Sequence, residues 1–274
     1  MSFLFEDAVE GFEPSAAPMD NSDALAFVFV GDRLVLARDS ERPLTLAEAE
    51  SSGLVLLDMA PLGRVNGRAA VVALTREPLP EGFSAKVVRR LFGRLPLEAI
   101  AVAAYASQIA HFIDTYRFCG RCAGKMVPSA TERLTRCEAC KRDVYPRVSP
   151  CIIILVEDGS RILLTRAAHF PEGMYGLVAG FVEPGESLEA CAKREVMEET
   201  GVHIRDVRYV ASQPWPFPSQ LMVGFTATYE SGDLKVDTHE LEDANWFELD
   251  ALPQIPPPLS IARHLIDLHL EKRR

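Results

Sequence analysis

Three glutamates, Glu195, Glu198 and Glu199, lie within five residues of one another in the segment REVMEETGV. If the segment is helical, with about 100° per residue, their carboxylates fall within an arc of about 100° on one face. Like charges at this spacing repel one another, and a solvated acidic helix would normally intersperse lysines among them. Magnesium and manganese ions favour carboxylate oxygens and remove this repulsion. The pattern therefore predicts a divalent-cation site.

The residues around these glutamates carry helix start and stop signals. Ser187 is a favourable N-cap, and Glu189 suits the first turn because its charge complements the helix dipole. Gly201 is placed as a C-terminal cap. We therefore expect a helix from about Leu188 to Thr200 that positions the three carboxylates.

Four cysteines form a second chemical pattern. Two CxxC pairs are separated by 14 residues, and such pairs can bring four sulfurs into a tetrahedron at about 2.3 Å from a zinc ion. Two disulfides are the alternative, which a cytosolic location disfavours. Four thiolates leave no open coordination position, so we expect one structural zinc ion per chain. The expected ligands are Cys119, Cys122, Cys137 and Cys140.

The charge of the chain is unevenly distributed. The net charge is −10, which argues against a protein that coats nucleic acid. Residues 116–147, however, carry eight basic and three acidic residues, a net charge of +5. Zinc with four thiolates reduces this to about +3, which is enough for a modest phosphate-binding surface. An ordinary solvated face is the competing interpretation.

Composition and hydropathy exclude several classes of protein. Apolar residues make up 48% and charged residues 25% of the 274 residues, as in soluble globular proteins. The sequence has no run of 18 apolar residues, so we expect no membrane span. The acidic start of the chain lacks the features of a secretory signal. We therefore expect a cytoplasmic protein with no membrane partner.

Turn signals and apolar runs divide the chain into three parts. We expect a small mixed α/β domain at residues 1–115, the cysteine module at 116–147 and a larger domain at 148–274. Helical spacing predicts a helix over Leu97 to Tyr116. The predicted strands are the segments LAFVFV (25–30), RLVLA (33–37), RAAVVAL (68–74), PCIIILV (150–156) and RILLTR (161–166).

The acidic helix resembles a known motif over its full length. From Gly180 the sequence has five residues, then Glu186, then seven residues and REVMEETGV, which matches the Nudix box at every fixed position. The larger domain is thus similar to the Nudix hydrolases, which cleave nucleoside diphosphates linked to another moiety. The resemblance implies an α+β chain whose α/β/α Nudix sandwich is preceded by a four-cysteine zinc ribbon and the small mixed α/β N-terminal domain.

The same resemblance implies roles for individual residues. Arg194 would hold a catalytic carboxylate in place, and Glu198 or Glu199 would be the general base. Several magnesium or manganese ions per chain would be bound by the three helix glutamates. The backbone carbonyl of Ala179 and the side chain of Glu240 would be further ligands, although Glu240 alone would be interpreted as an exposed loop residue.

A segment rich in proline and aromatic residues, SQPWPFPSQLM, follows at residues 212–222. Its prolines restrict φ, so we expect a rigid loop. The rings of Trp215 and Phe217 would then be held where they could stack on a planar base. A hydrophobic loop that caps the core is the alternative.

This segment resembles SQPWPFPxS, the marker of the NADH pyrophosphatase branch, whose members also carry a four-cysteine module. One departure is that Ser219 and Gln220 stand in the reverse order. The hydroxyl that the branch has at position 220 would come from Ser219 or be replaced by the amide of Gln220. The residues that the resemblance assigns to substrate binding are Tyr145, Phe181, Gln213, Trp215, Phe217, Ser219, Gln220, Ala262, Arg90 and Glu132.

The resemblance implies metal-dependent hydrolysis of the pyrophosphate of NADH or NAD to nicotinamide mononucleotide and AMP. It also implies a homodimer and the removal of NAD caps from RNA. A Nudix hydrolase that prefers ADP-ribose or other dinucleotides is one alternative. A non-catalytic regulator that binds RNA or nucleotides is another, although such a protein would be expected to lack a box carboxylate or Arg194.

Overall fold

The computed structural model describes residues 11–20, 23–38 and 42–273, except for the side chain of Leu97. The described chain divides into two compact units. One contains residues 11–147 with Pro216–Ser219, and the other contains Val148–Trp215 with residues 220–273. Among the described residues, no helix is long and apolar enough to cross a membrane.

The first unit is built on a seven-stranded sheet of order β1-β5-β6-β2-β3-β7, in which β4 also pairs with β2. Strands β2, β3 and β6 coincide with the predicted apolar segments, and the long helix ends one residue before its predicted end. The elements are β1 (Phe12–Pro14), β2 (Leu25–Val30), β3 (Arg33–Ala37), β4 (Leu44–Thr45), α1 (Leu46–Ser51), β5 (Leu57–Val65), β6 (Arg68–Leu74), β7 (Phe83–Val87), a 3-10 helix (Val88–Leu91) and α2 (Leu97–Thr115).

The cysteine module belongs to the same unit. It is a three-stranded antiparallel sheet of order β10-β9-β8, formed by β8 (Met126–Pro128), β9 (Thr135–Cys137) and β10 (Asp143–Val144). Its core is small and contains Cys119, Met126 and Cys137. So small a core needs an additional cross-link, which a metal ion can supply.

The second unit is built on a six-stranded mixed sheet of order β14-β15-β11-β12-β16, with β13 paired to β11. Strands β11 and β15 are parallel. The elements are β11 (Ser149–Asp158), β12 (Arg161–Ala167), β13 (Val178–Phe181), α3 (Leu188–Thr200), β14 (His203–Trp215), β15 (Gln220–Ser231), β16 (Leu241–Glu248) and α4 (Ile261–Glu271).

Strand β11 shows how this sheet separates two helices. Successive side chains of a strand point to opposite faces, and Ile152, Ile154 and Val156 pack in one core with α3. Ile153 and Leu155 pack in a second core with α4. The predicted α/β/α sandwich is confirmed. The continuous apolar run arises because both faces of the strand are covered.

The segment at residues 212–222 differs from the predicted loop. Strand β14 continues to Trp215 and pairs with β15 in a register that joins Pro214 to Leu221 and Trp215 to Gln220. Only Pro216–Ser219 forms a turn. A proline inside a strand is tolerated here because β14 is an edge strand of the sheet. On its outer side the described residues form no neighbouring strand to which the missing N–H would donate.

Candidate active site and zinc centre

Both ends of α3 are capped as the sequence predicts. The Ser187 hydroxyl accepts a hydrogen bond of 3.2 Å from the Ala190 N–H, and Gly201 has a φ of +71° that few other residues adopt. The Gly201 N–H donates to the Met197 carbonyl at 2.9 Å. The helix is therefore fixed at both ends, which holds its acidic face against the sheet.

Three carboxylates converge at this face. Carboxylate oxygens of Glu195, Glu199 and Glu240 all lie within 4.8 Å of one another. The two helix residues are buried, whereas Glu240, from the turn before β16, is exposed. Glu198 is not in this cluster; its side chain is 58% exposed and pairs with Arg194. The structure thus joins two of the three predicted helix glutamates to the predicted loop glutamate.

Gly180 lies directly beneath this cluster in β13. A Cβ at position 180 would be 1.9–2.3 Å from the carboxylate atoms of Glu195, far closer than van der Waals contact. Only glycine leaves room for that carboxylate beside the strand. The close approach also brings Glu195 to the backbone next to Ala179, the residue whose carbonyl is the predicted further ligand.

Arg194 donates hydrogen bonds to three carboxylates and a backbone carbonyl. Its Nε and Nη2 donate to the two oxygens of Glu186 at 2.8 and 2.9 Å. Its Nη1 donates to Glu195 at 2.7 Å and to Glu198 at 2.9 Å, and Nη2 also reaches the Phe181 carbonyl at 3.0 Å. This pairing lowers the pKa of Glu186 to about 2. Arg194 thus positions Glu195, while Glu186, to which the sequence analysis gave no role, orients Arg194.

Glu199 lies in surroundings that oppose its negative charge. Burial, together with the charges of Glu195, Glu240 and Asp237, raises its pKa to about 8, and burial also raises the pKa of Glu195 despite Arg194. Among the described residues, no group donates a hydrogen bond to Glu199 Oε2. A buried carboxylate oxygen without a donor is costly. This donor set therefore fits a hard divalent cation.

The turn that carries Glu240 is fastened to the end of α3 by Asp237. The Asp237 N–H donates to the Glu199 carbonyl at 3.0 Å, and its own carbonyl accepts from the N–H groups of Glu240 and Leu241 at 3.2 and 2.9 Å. Its side-chain Oδ1 accepts from the His239 N–H at 2.9 Å. Sequence reasoning missed Asp237, although an aspartate two residues before a backbone donor is a known turn signal.

Aromatic and polar residues named from the resemblance lie in the same unit. Phe181, which follows Gly180 in β13, is 50% exposed. Trp215 is partly buried and is the strand partner of Gln220, which is also partly buried. A half-exposed phenylalanine adjoining a carboxylate cluster is available to stack on a ring.

Gln213 is fully buried and contacts the start of α4. Its Nε2 donates to the Leu259 carbonyl at 3.0 Å, and its Oε1 accepts from the Ile261 N–H at 2.9 Å. The structure therefore places this side chain where it fixes the backbone leading to Ala262, which is itself buried.

The remaining residues named from the resemblance lie in the first unit. Arg90, Glu132 and Tyr145 are exposed. Phe217 packs edge-on against Phe92 with ring centroids 6.4 Å apart. Ser219 is buried, with a relative exposure of 9%.

The four cysteines of the first unit form a compact set of sulfurs. All four lie within 4.8 Å of one another, with Cys119–Cys140 at 3.7 Å and Cys122–Cys137 at 3.5 Å. Ligands at about 2.3 Å from a tetrahedral zinc ion would be about 3.8 Å apart. The six cysteines, all in described segments, are free thiols, so the disulfide alternative is excluded for this structure.

Backbone N–H groups support this set. The Arg121 N–H donates to Cys119 Sγ and the Cys140 N–H to Cys137 Sγ, both at 3.4 Å. The Arg121 contact is the largest cause that lowers the pKa of Cys119 to about 6. A Cβ on Gly124 would lie 3.0 Å from Cys137 Sγ, so glycine lets this loop close over the sulfurs. The residues fit a zinc ion.

Comparison with protein families places both sites in known domains. A family model described as the NUDIX domain matches residues 145–268. A second, described as the NADH pyrophosphatase zinc ribbon domain, matches residues 114–145. The structure is similar to a NUDIX hydrolase from Nitrosomonas europaea, with a TM-score of 0.50 and 24% identity over 57% of this chain and 92% of that chain. That likeness shows the fold.

Curated relatives extend the match beyond the two domains. A protein named NAD-capped RNA hydrolase NudC from Pseudomonas aeruginosa is 43% identical over 80% of this chain and 80% of its own length. Its namesake from Pseudomonas syringae is 38% identical over 90% and 86%. The Chromobacterium violaceum protein of that name is 47% identical over 63% of this chain, and the match spans 65% of its length, just under two thirds.

Proposed function

The chain belongs to the NUDIX family, in the branch that carries the NADH pyrophosphatase zinc ribbon, and on that premise we propose that it is an NAD(H) diphosphatase. It hydrolyses the pyrophosphate of NADH or NAD to nicotinamide mononucleotide and AMP, and it removes NAD caps from RNA 5′ ends. The observation that carries this proposal is the convergence of Glu195, Glu199 and Glu240.

The residues that would hold the catalytic cations are the three converging carboxylates, with Glu198 and the Ala179 carbonyl completing the set. We propose that magnesium or manganese ions, several per chain, bind here. When bound, such ions neutralise the charge of the pyrophosphate and make a coordinated water more acidic. One zinc ion per chain has a structural role, since its four thiolates leave no free coordination position.

The protein's own groups orient and accept protons. Arg194 holds Glu195 and Glu198 through its guanidinium, so both carboxylates keep a fixed geometry before substrate arrives. Glu199 is the preferred general base, because its carboxylate lies within the cluster and no described group donates a hydrogen bond to its Oε2, which leaves that oxygen available to a water. The alternative base is Glu198, whose exposed side chain lies closer to solvent.

Substrate recognition is assigned to the rings and polar groups named from the resemblance. Phe181 and Trp215 supply ring faces, and Gln213 acts through the backbone that leads to Ala262. Because Ser219 is buried and Gln220 only partly so, we propose that the amide of Gln220 replaces the hydroxyl that the branch has at this position. Arg90, Glu132, Tyr145 and Phe217 remain proposed contacts.

Three broader features belong to the same proposal. The chain is organised as residues 1–115, 116–147 and 148–274, and it acts as a homodimer, as the family resemblance suggests. A cytoplasmic location agrees with six cysteines that form no disulfide in the segments described.

The test is steady-state kinetics on NADH, NAD, an NAD-capped oligonucleotide and ADP-ribose, with magnesium and manganese in turn. We expect nicotinamide mononucleotide and AMP from the dinucleotides, and the Glu199→Gln variant controls for contaminating hydrolases. A higher kcat/KM on ADP-ribose than on NADH would favour the alternative substrate. Absence of hydrolysis with every substrate and ion would favour the non-catalytic regulator and overturn the proposal.

A further inference from the structure

Four basic side chains on the zinc ribbon have no role in the proposed reaction. Arg121 lies between the first two cysteines, Lys125 follows them, and Lys141 and Arg142 follow the last cysteine. All four are exposed. Within the part of the chain that the structure describes, their side chains form no ion pair or hydrogen bond. We refer to these four residues as the knuckle cations.

Two other arginines of the ribbon, in contrast to the knuckle cations, are paired with aspartates within the fold. Arg117 pairs with Asp58 at 3.1 Å and with Asp114 at 2.9 Å. Arg136 pairs with Asp143 at 2.6 Å. The charge of a paired arginine is balanced by a carboxylate within the fold. The charge of an exposed, unpaired cation is available to attract an anionic partner.

The backbone brings the knuckle cations to one end of the ribbon. The Glu138 N–H donates to the Lys125 carbonyl at 3.0 Å, and the Cys137 N–H donates to the Arg142 carbonyl at 2.9 Å. The two loops therefore lie side by side around one set of sulfurs. Four cations outweigh the charge of about −2 from zinc and four thiolates together with the carboxylate of Glu138, while Asp143 is paired with Arg136.

An exposed aromatic ring lies at the same end. Phe118 is 68% exposed, and it forms an isolated β-bridge with Lys125. The exposed ring therefore contributes little to packing within the fold, and Lys125 is the β-bridge partner of Phe118. Proteins that bind single-stranded nucleic acid combine these two elements, cations for the phosphates and ring faces for unpaired bases.

We propose that the knuckle end of the zinc ribbon binds the single-stranded RNA chain that follows an NAD cap. The knuckle cations contact backbone phosphates, and Phe118 stacks on an unpaired base. This inference rests on the proposed function, which supplies a substrate with one phosphate for each nucleotide. The basic knuckles are a local exception in a chain of net charge −10, and opposite charge would attract the phosphates of RNA to this end of the ribbon.

The test compares two substrates that differ only in the RNA chain. In the full-length protein, Arg121, Lys125, Lys141 and Arg142 are all changed to glutamine, and kcat/KM is measured on NAD and on an NAD-capped RNA of about ten nucleotides. We expect the value on capped RNA to fall about 10-fold or more at low salt, with the value on NAD unchanged. The dependence on salt should become shallower by about 0.7 log units per log unit of salt for each phosphate that the variant no longer neutralises.

A second variant addresses the ring. Phe118→Ala should weaken binding of the oligonucleotide about 5-fold or more, since stacking on one base is worth roughly that at its lower limit. Zinc content and thermal stability of both variants show whether the ribbon is intact. The matched control changes Arg76, Arg208, Lys235 and Lys272, exposed cations outside the ribbon, to glutamine, and it should leave both activities unaltered.

Direct binding separates this inference from the proposed function. Fluorescence anisotropy with an uncapped RNA of the same sequence reports on the knuckle end without any hydrolysis. If the parent protein cleaves neither substrate, the proposed function fails, whereas loss of oligonucleotide binding in the knuckle variant still supports the surface. Equal oligonucleotide affinity in the parent and the knuckle variant, or an unchanged ratio of the two kcat/KM values, overturns the inference.

Discussion

The carboxylate of Glu195 lies against the backbone of Gly180, so close that a Cβ at position 180 would overlap it at 1.9–2.3 Å. The φ of Gly180 is not in the left-handed region, so the need for glycine here is one of space and not of backbone conformation. Strand β13 and helix α3 meet at this point. The distance between β13 and α3 therefore determines where the Glu195 carboxylate lies relative to the Ala179 carbonyl, the other predicted ligand.

Gly180→Ala should therefore displace Glu195 and disturb cation binding. A misplacement of about 1 Å in a catalytic constellation costs on the order of 100-fold in rate, and we expect a decrease of that size in kcat with a weaker affinity for manganese. The control is Gly120→Ala, because a Cβ there meets no atom within 4 Å and the backbone has no positive φ. Activity of Gly180→Ala within a few-fold of the parent would contradict this role.

The titration of Glu199 should make the affinity for cations depend on pH. Burial raises its pKa to about 8, so below that pH a cation must displace a proton to bind. Affinity for manganese should therefore rise with pH by up to about 10-fold per unit and level off above pH 8. Manganese titrations of the parent protein between pH 6 and 9 measure this slope.

The matched variant is Glu199→Gln, which keeps the volume and removes the titrating group. Its manganese affinity should be weaker and show a flatter dependence on pH. Turnover should fall at least 100-fold with the fold intact, because the group acts on cation and water rather than on packing. A slope as steep as that of the parent would show that another group titrates.

Substitution of Asp237 by alanine and by asparagine should have different effects on manganese affinity. Asp237→Ala removes the acceptor for the His239 N–H and should loosen the turn that carries Glu240, weakening manganese affinity about 10-fold. Asp237→Asn keeps an oxygen acceptor and should restore most of that affinity. Asp233, exposed in the same segment, provides the control Asp233→Ala. If the asparagine variant binds manganese as poorly as the alanine variant, the charge of Asp237 matters and not the turn.

The sequence was most informative where local signals decide the structure. Helix α3 has the predicted bounds because Ser187 and Gly201 cap it through contacts within a few residues. The cysteine spacing was informative within each CxxC pair, where a short loop joins the two cysteines, whereas the pairing of β8 with β9 brings the two pairs together. The α/β/α sandwich followed from the resemblance, and the alternation of β11 between two cores explains it physically.

Tertiary contacts decided what the sequence left open. Helical geometry treats Glu198 and Glu199 alike, but Arg194 pairs with the former while the latter is buried next to Glu240. The attachment of the Glu240 turn to α3 depends on a backbone hydrogen bond between segments 38 residues apart, Asp237 to Glu199. The prolines suggested a loop because edge position in the sheet, which makes Pro214 tolerable, is not visible in the segment itself.

Loss of zinc from the ribbon should lower the stability of the protein, an effect that is separable from catalysis. Replacing Cys119 and Cys122 by serine should release zinc and lower the thermal midpoint, since metal binding contributes folding free energy in such small modules. Metal analysis should give one zinc per chain for the parent and none for the variant. Cys151→Ala is the control, because this buried thiol lies outside the cysteine cluster, and it should retain its zinc.

Trp215 tests whether an aromatic side chain in the hairpin recognises substrate or only packs. If it stacks on the nicotinamide ring, Trp215→Ala should weaken binding of NADH by about 1–3 kcal/mol, or roughly 5- to 150-fold. ADP-ribose lacks that ring, so its KM should change little. Measuring KM and kcat for both substrates on the parent and the variant distinguishes a selective effect from a general one.

The matched control is the second tryptophan of the chain, Trp246. It packs against the core beside α3, with its ring 5.5 Å from that of Tyr229. Trp246→Ala should lower thermal stability and reduce activity on both substrates in parallel, because removing the ring leaves a cavity in the core. If Trp215→Ala gives that same parallel decline with a lower thermal midpoint, Trp215 is a packing residue, and the aromatic contact to substrate must be supplied by Phe181.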